Sequence, residues 1–171
     1  MKYTSAQAAK LLRKLKDDHQ LLLLEEINNR FFLAANGEDV ESLRPDYDFD
    51  QTQKELAVLE EKIRRVKHAI NLFNCRTAVE GKTIDEVLVY LPQLQERRNK
   101  LSTMIGRREK QRARNNAISR FSGQAFILDY EYTNYDIRKA GDMYRSVCDE
   151  IAALQTALDK ANTTGEIEID L

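Results

Sequence analysis

From Gln53 to Ala78 the apolar residues Leu56, Leu59, Ile63, Val66, Ile70 and Phe73 follow one another at intervals of three and four. That spacing sets them on one narrow stripe of a helix, with Glu60, Glu61, Lys62, Arg64, Arg65 and Lys67 between them facing water or the rim of a neighbour. The stripe is a seam for a partner helix, and the pattern predicts a helix over residues 50–79. Ahead of it, Ala8, Leu12, Leu15, His19, Leu23, Ile27, Phe31 and Ala34 recur mostly by fours, and the four leucines from Leu21 to Leu24 must touch two sides. A helix of that kind packs against more than one neighbour. Thr4 with Gln7 has the form of a capping box, and Asn36-Gly37 is a left-handed stop, which gives a helix over 4–36.

After the turn Glu80-Gly81-Lys82, Thr83 with Glu86 is a second capping box. It opens a third helix over 83–116, with Val87, Leu91, Leu94, Leu101 and Ile105 on its stripe and Arg98 at the one polar seam position. So short a turn makes the second and third helices an antiparallel hairpin. Pro92 predicts either a kink over residues 88–92 or a helix that starts near there. Asn134 or Asp136 can cap a last helix over 134–162, whose stripe is the most regular: Ile137, Ala140, Tyr144, Val147, Ile151, Leu154, Leu158, Ala161.

Two stretches change to a period of two. Phe126, Leu128, Tyr130 and Tyr132 alternate with Ile127, Asp129 and Glu131, which reads as a strand over about 125–133; Ile167, Ile169 and Leu171 alternate with Glu168 and Asp170 over 166–171. The last helix separates the two strands by roughly 42 Å, whereas a nine-residue strand covers only about 30 Å. An isolated edge strand is a liability that proteins cover. The expectation is therefore that Ile167 and Ile169 of one subunit pair with Phe126, Leu128 and Tyr130 of another. Taken together, the fold expected is mainly all-α: one domain over 1–171, an antiparallel bundle of long helices with coiled-coil character, and two short strands pairing between subunits.

Composition agrees with long helices: the 171 residues include 2 prolines and 6 glycines, and 32% are charged. The longest aliphatic run, Leu21 to Leu24, is far short of the roughly 20 residues of a membrane span, and Met1 to Leu12 lacks the apolar core of a signal peptide. A cytoplasmic protein is expected, with Cys75 and Cys148 as reduced thiols. Asp46, Asp48 and Asp50 alternate as calcium ligands would, but an EF-hand loop counted from Asp46 would need glycine and glutamate where Gln51 and Ala57 stand. The acids instead suit the positive end of the following helix. His19 and His68 connect to no nucleophile, and no phosphate loop, zinc-protease or serine-hydrolase motif is present. The reading is a non-enzyme without cofactor, metal or small-molecule substrate.

The formal charge is −1, so a charged partner has to be argued from local patches. Arg97 to Arg120 holds nine Lys or Arg against one acid, while residues 25–61 hold eleven acids against three bases. Alternating helix directions bring the two patches together, and mutual neutralisation is the preferred account. Neither nucleic acid nor membrane is an expected partner; the expected partner is a second copy of the chain. The alternative is anion or nucleic-acid contact through Arg107, Arg108, Lys110, Arg112 and Arg114, beside aromatic residues suited to stacking.

Ile70-Asn71-Leu72-Phe73-Asn74, then Thr77, Gly81, Thr83 and Ile84, the arginine-rich run, a short β-like stretch and a closing Leu154, Leu158-Asp159, Ala161-Asn162 together resemble the septicolysin-like family of small bacterial helical proteins. Thr163 stands where members carry tryptophan. The resemblance implies an α-helical fold of coiled-coil character, and the family name suggests a membrane-active cytolysin as a second alternative. A spanning β-strand takes about 9–11 residues with a continuous apolar face, which Phe126 to Tyr132 barely provides.

Overall fold

A computed structural model describes residues 1–112 and 130–171. The chain is mainly helical. In order, its elements are β1 (Lys2–Thr4), α1 (Ser5–Asn29), α2 (Val40–Leu43), α3 (Phe49–Arg76), β2 (Ala78–Val79), β3 (Lys82–Thr83), α4 (Ile84–Ile105), β4 (Lys110–Arg112), β5 (Tyr130–Tyr132), α5 (Ile137–Thr164) and β6 (Glu166–Glu168). They fall into two compact units, Met1–Glu86 with Ala157–Leu171, and Val87–Thr156.

In the first unit α1 and α3 form one antiparallel pair. His19 Nε2 lies 3.4 Å from Glu60 Oε1, and Gln53 Nε2 donates to Glu26 Oε1 at 2.8 Å. Seven residues forward on α1 therefore correspond to seven backward on α3. The seam on α3 is the expected one: Leu56 and Val66 are buried, and Leu59, Ile63, Ile70 and Phe73 pack against a core that includes Ala8 and Leu15. The seam on α1 follows the expected Ala8, Leu12, Leu15 and His19 and departs from the expected stripe only after His19. Its inward positions are Ala8, Leu12, Leu15, His19, Leu22, Glu26 and Asn29, stepping by four and three, and all are buried or half-buried. Glu26 sits in that seam because Tyr47 Oη also donates to its Oε1, at 3.1 Å, so the carboxylate is satisfied from two sides. Desolvation, with the bond to Glu26, raises the Tyr47 pKa above 10.0.

The same register explains where α1 stops. Residue 26 faces residue 53, so residue 30 faces residue 49, the first residue of α3. A longer α1 would project past its partner. The helix ends at Asn29 rather than near Asn36, and Asn36-Gly37 marks a turn in the following loop, with Gly37 at φ 97° and Glu38 N donating to Ala35 O at 3.1 Å. Asp48 caps α3 through Gln51 N at 3.0 Å, the role assigned to the acids of this loop.

The expectation for the C-terminal strand is corrected. β6 pairs antiparallel with β1 of the same chain, Lys2 opposite Glu168, Tyr3 opposite Ile167 and Thr4 opposite Glu166. Met1 N and Ile169 N extend the ladder at 2.9 Å each. Ile167 and Ile169 are buried in the α1–α3 core instead of awaiting another subunit. The distance argument from the ends of α5 overlooks this partner because Lys2–Thr4 is only three residues long and Thr4 already belongs to a capping box. The Thr4–Gln7 capping box is present, Gln7 N to Thr4 Oγ1 at 3.2 Å and Thr4 N to Gln7 Oε1 at 2.9 Å, but a strand runs directly into it.

The turn at Glu80-Gly81 is a two-residue hairpin between β2 and β3, with φ of 50° and 76° at its central residues. Two positive φ values make it a type I′ turn, whose twist matches paired strands. Thr83 and Glu86 then close the second capping box, Glu86 N to Thr83 Oγ1 at 3.2 Å and Thr83 N to Glu86 Oε2 at 2.7 Å.

In the second unit the buried residues of α4, Val87, Leu94 and Leu101, are seven apart, as are Ala140, Val147 and Leu154 of α5. Tyr90 Oη of α4 donates to Glu150 Oε1 of α5 at 2.9 Å. Pro92 lies within α4, which begins well before it, at Ile84. Asp136, of the two candidates, caps α5: its Oδ1 accepts from Arg138 N at 2.8 Å and Lys139 N at 3.2 Å. The third helix was expected to reach 116. It ends at Ile105, and Lys110–Arg112 form a strand paired with Tyr130–Tyr132.

Candidate functional site

Two surfaces carry chemistry. The first is the β4–β5 ribbon of the second unit. Its register sets Lys110 opposite Tyr132, Gln111 opposite Glu131 and Arg112 opposite Tyr130. Because side chains alternate along a strand, Lys110, Arg112, Tyr130 and Tyr132 share one face and Gln111 and Glu131 the other. The four on the first face are exposed. The Lys110 ammonium lies 4.3 Å from the Tyr130 ring centre and 5.3 Å from that of Tyr132, within cation–π range of both.

The opposite face ties the ribbon down. Glu131 Oε2 accepts from Arg107 Nη1 at 3.2 Å and from Gln111 Nε2. Thr133 Oγ1 donates to Arg108 O at 2.7 Å, Thr133 N to Glu109 O at 3.0 Å, and Tyr135 Oη to Met104 O at 2.7 Å. An open cleft of about 390 Å³ lies beside these contacts, between Met104, Arg107, Gln111 and the segment Glu131 to Tyr135. Of the basic residues singled out from sequence, Arg107 is therefore structural, Arg108 is exposed, and Lys110 and Arg112 share the tyrosine face. Arg114, Phe126 and Leu128 lie outside the described residues. Glu131, Gln111 and Tyr135 were not singled out, although the alternation that produced the strand also put Glu131 on the face opposite the tyrosines.

The second surface is on α1. Leu21, Leu24 and Ile27 are 58%, 47% and 52% exposed. At 3.6 residues per turn they lie opposite the inward positions Leu22 and Glu26. Beyond the helix end Phe31 is 79% and Leu33 96% exposed. The Arg30 guanidinium lies 5.3 Å from the Phe31 ring centre. The four leucines thus lie on two sides of the helix, Leu22 and Leu23 half-buried and Leu21 and Leu24 exposed.

A third feature, a groove of about 540 Å³ between α3 and β6, is lined by Arg65, His68, Leu72 and Arg76 on one side and residues 166–170 on the other. Both cysteines are free. Among the described residues no three His, Cys, Asp or Glu are placed to hold a metal, and no helix is long and apolar enough to cross a membrane.

No protein-family model matches the sequence, and no curated protein matches it. A solved structure is similar, that of a functionally unknown conserved protein from Corynebacterium diphtheriae. It shares 17% identity, covering 98% of this chain and 100% of that one, with a TM-score of 0.57. At that identity the likeness concerns the fold alone.

Proposed function

We propose that the protein is a non-catalytic assembly protein, and that the outer face of α1 is where two copies meet. One observation carries the reading: α1 is apolar on opposite faces, and Leu21, Leu24 and Ile27 on the second face are about half exposed. A helix that is apolar on both sides is normally covered on both. The loop residues Phe31 and Leu33 widen the exposed area.

A second copy also offers opposite charges along the same face. The outer face carries Lys10 and Arg13 toward its start, Asp17 in its middle and Glu25 toward its end. An antiparallel pairing of two α1 helices centred near residue 19 sets Arg13 of each copy against Glu25 of the other. Such a two-fold contact is self-complementary and closes at a dimer. The intersubunit contact is thus assigned to a helix face, and the terminal strand plays no part in it.

The test is molar mass by light scattering, with the double substitution Leu24→Glu and Ile27→Glu. The expected result is a dimer for the wild type and a monomer of unchanged helicity for the variant. A wild-type monomer, or a variant that stays dimeric, overturns the assignment.

A further inference from the structure

We propose that the exposed face of the β4–β5 ribbon binds single-stranded nucleic acid. The inference rests on the ribbon alone and is independent of how copies associate.

Two features of that face fit unpaired nucleotides together. Tyr130 and Tyr132 lie on one strand two residues apart, about 7 Å at the rise of an antiparallel strand, so their rings can take successive bases that have left a helical stack. Each tyrosine has a cation directly across the ladder, Lys110 opposite Tyr132 and Arg112 opposite Tyr130. A base on either ring places its phosphate beside a positive charge, the combination that holds single strands without reading sequence. Lys110 already lies over both rings, so a stacking base moves the ammonium only from ring to phosphate.

The platform is also held in place before any ligand arrives. Arg107 and Gln111 fix Glu131 on the opposite face, and Thr133 and Tyr135 bond to the backbone at Arg108 and Met104. Preorganisation of this kind reduces what binding must spend on ordering. The chemistry discriminates among polyanions. An acidic protein surface has use for the two cations and none for the two rings. Duplex DNA keeps its bases stacked inside, so the tyrosines cannot reach their faces.

The experiment is fluorescence anisotropy of the full chain with a labelled single-stranded DNA oligonucleotide of mixed sequence, repeated over a range of salt concentrations. Tyr132→Ala is expected to weaken binding roughly ten-fold or more, since one base–aromatic stack is lost, and Tyr132→Phe to restore it. Arg112→Gln is expected to lower the slope of log affinity against log salt by about 0.7, the value for one phosphate contact on a single strand. All these side chains are exposed, so the variants should keep the wild-type circular dichroism spectrum. Three results overturn the proposal: no binding at low salt, equal binding of duplex and single strand, or a Tyr132→Ala variant that binds as the wild type does. The second and third would leave only general attraction of anions to the basic run.

Discussion

Gly165, the single residue between α5 and β6, provides the sharpest test of packing in the first unit. A Cβ built on it would lie 2.6 Å from Phe73 Cε2 and 2.7 Å from the carbonyl oxygen of Ala161. Real Cβ atoms do not come that close, so Gly165→Ala requires something to move. The Ala161 carbonyl belongs to α5 and accepts Gly165 N at 2.9 Å, which leaves it little freedom. Phe73 is half-buried against the core that holds Ile167 and Ile169, so moving its ring toward the groove gives up part of that packing. Overpacking of this kind costs about 1–3 kcal/mol. The stiffer unfolded chain of the alanine variant returns about 0.4–1 kcal/mol. The net expectation is a loss centred on about 1.3 kcal/mol and at most about 2.6 kcal/mol, at roughly 2–4 °C in melting temperature per kcal/mol for a chain of this size. Thermal and urea unfolding followed by far-ultraviolet circular dichroism measures it. Phe73→Leu shortens the obstructing side chain, so the double variant should lose less than the sum of the two single losses. A Gly165→Ala protein as stable as the wild type, or additive losses in the double variant, would refute the argument from close approach.

Glu80, at φ 50°, holds a left-handed conformation that costs an ordinary residue about 1–2 kcal/mol; Glu80→Asn supplies the residue favoured there and should raise the urea midpoint, and a lowered midpoint contradicts the turn assignment. The Glu86 carboxyl is held below its usual 4.5 by the backbone N–H and then the hydroxyl of Thr83. Its stabilisation is present above about pH 4.5 and lost as pH falls through the lowered value. The advantage of wild type over Glu86→Gln should therefore shrink on acidification, and a constant gap from about pH 6 to pH 3 would contradict it. Tyr90 is shifted above 10.0, first by its hydrogen bond to Glu150 and then by desolvation. That contribution is full below about pH 10 and disappears as pH rises through the raised value, so Tyr90→Phe should lose less stability in alkali than wild type; identical alkaline profiles would show that the Glu150 bond does not matter.

Periodicity alone located α3 and α5 and named most of their inward residues, because both have long apolar stripes and an acid at the cap. It misjudged the second half of α1 for a physical reason. The eye follows Leu23, Ile27 and Phe31, but the seam continues through Glu26 and Asn29, which pattern recognition excludes as polar. Only the hydrogen bonds from Tyr47 and Gln53 make Glu26 acceptable there, and these depend on the antiparallel register. The short strands were hard to see for another reason. Lys2–Thr4 and Lys110–Arg112 have three residues each, too few to show a period of two, and both are defined by a distant partner. Lys110, Gln111 and Arg112 extend a helical charge run as easily as they begin a strand, so the tyrosine and cation face became visible only with the pairing in hand. Glu131 belonged to the alternation already recognised in the sequence, but its role as the anchor for Arg107 required knowing what lay across from it.

Thiol cross-linking along the outer face of α1 tests the central claim most directly. With Cys75 and Cys148 replaced by serine, a Gln20→Cys protein carries its thiol near the centre of the proposed two-fold contact, and an Ala6→Cys protein carries it toward the far end of the same face. A short thiol-to-thiol reagent should join Gln20→Cys chains into covalent dimers and leave Ala6→Cys chains single. Equal yields at the two positions, or no dimer at Gln20→Cys, would show that α1 meets something other than its own copy.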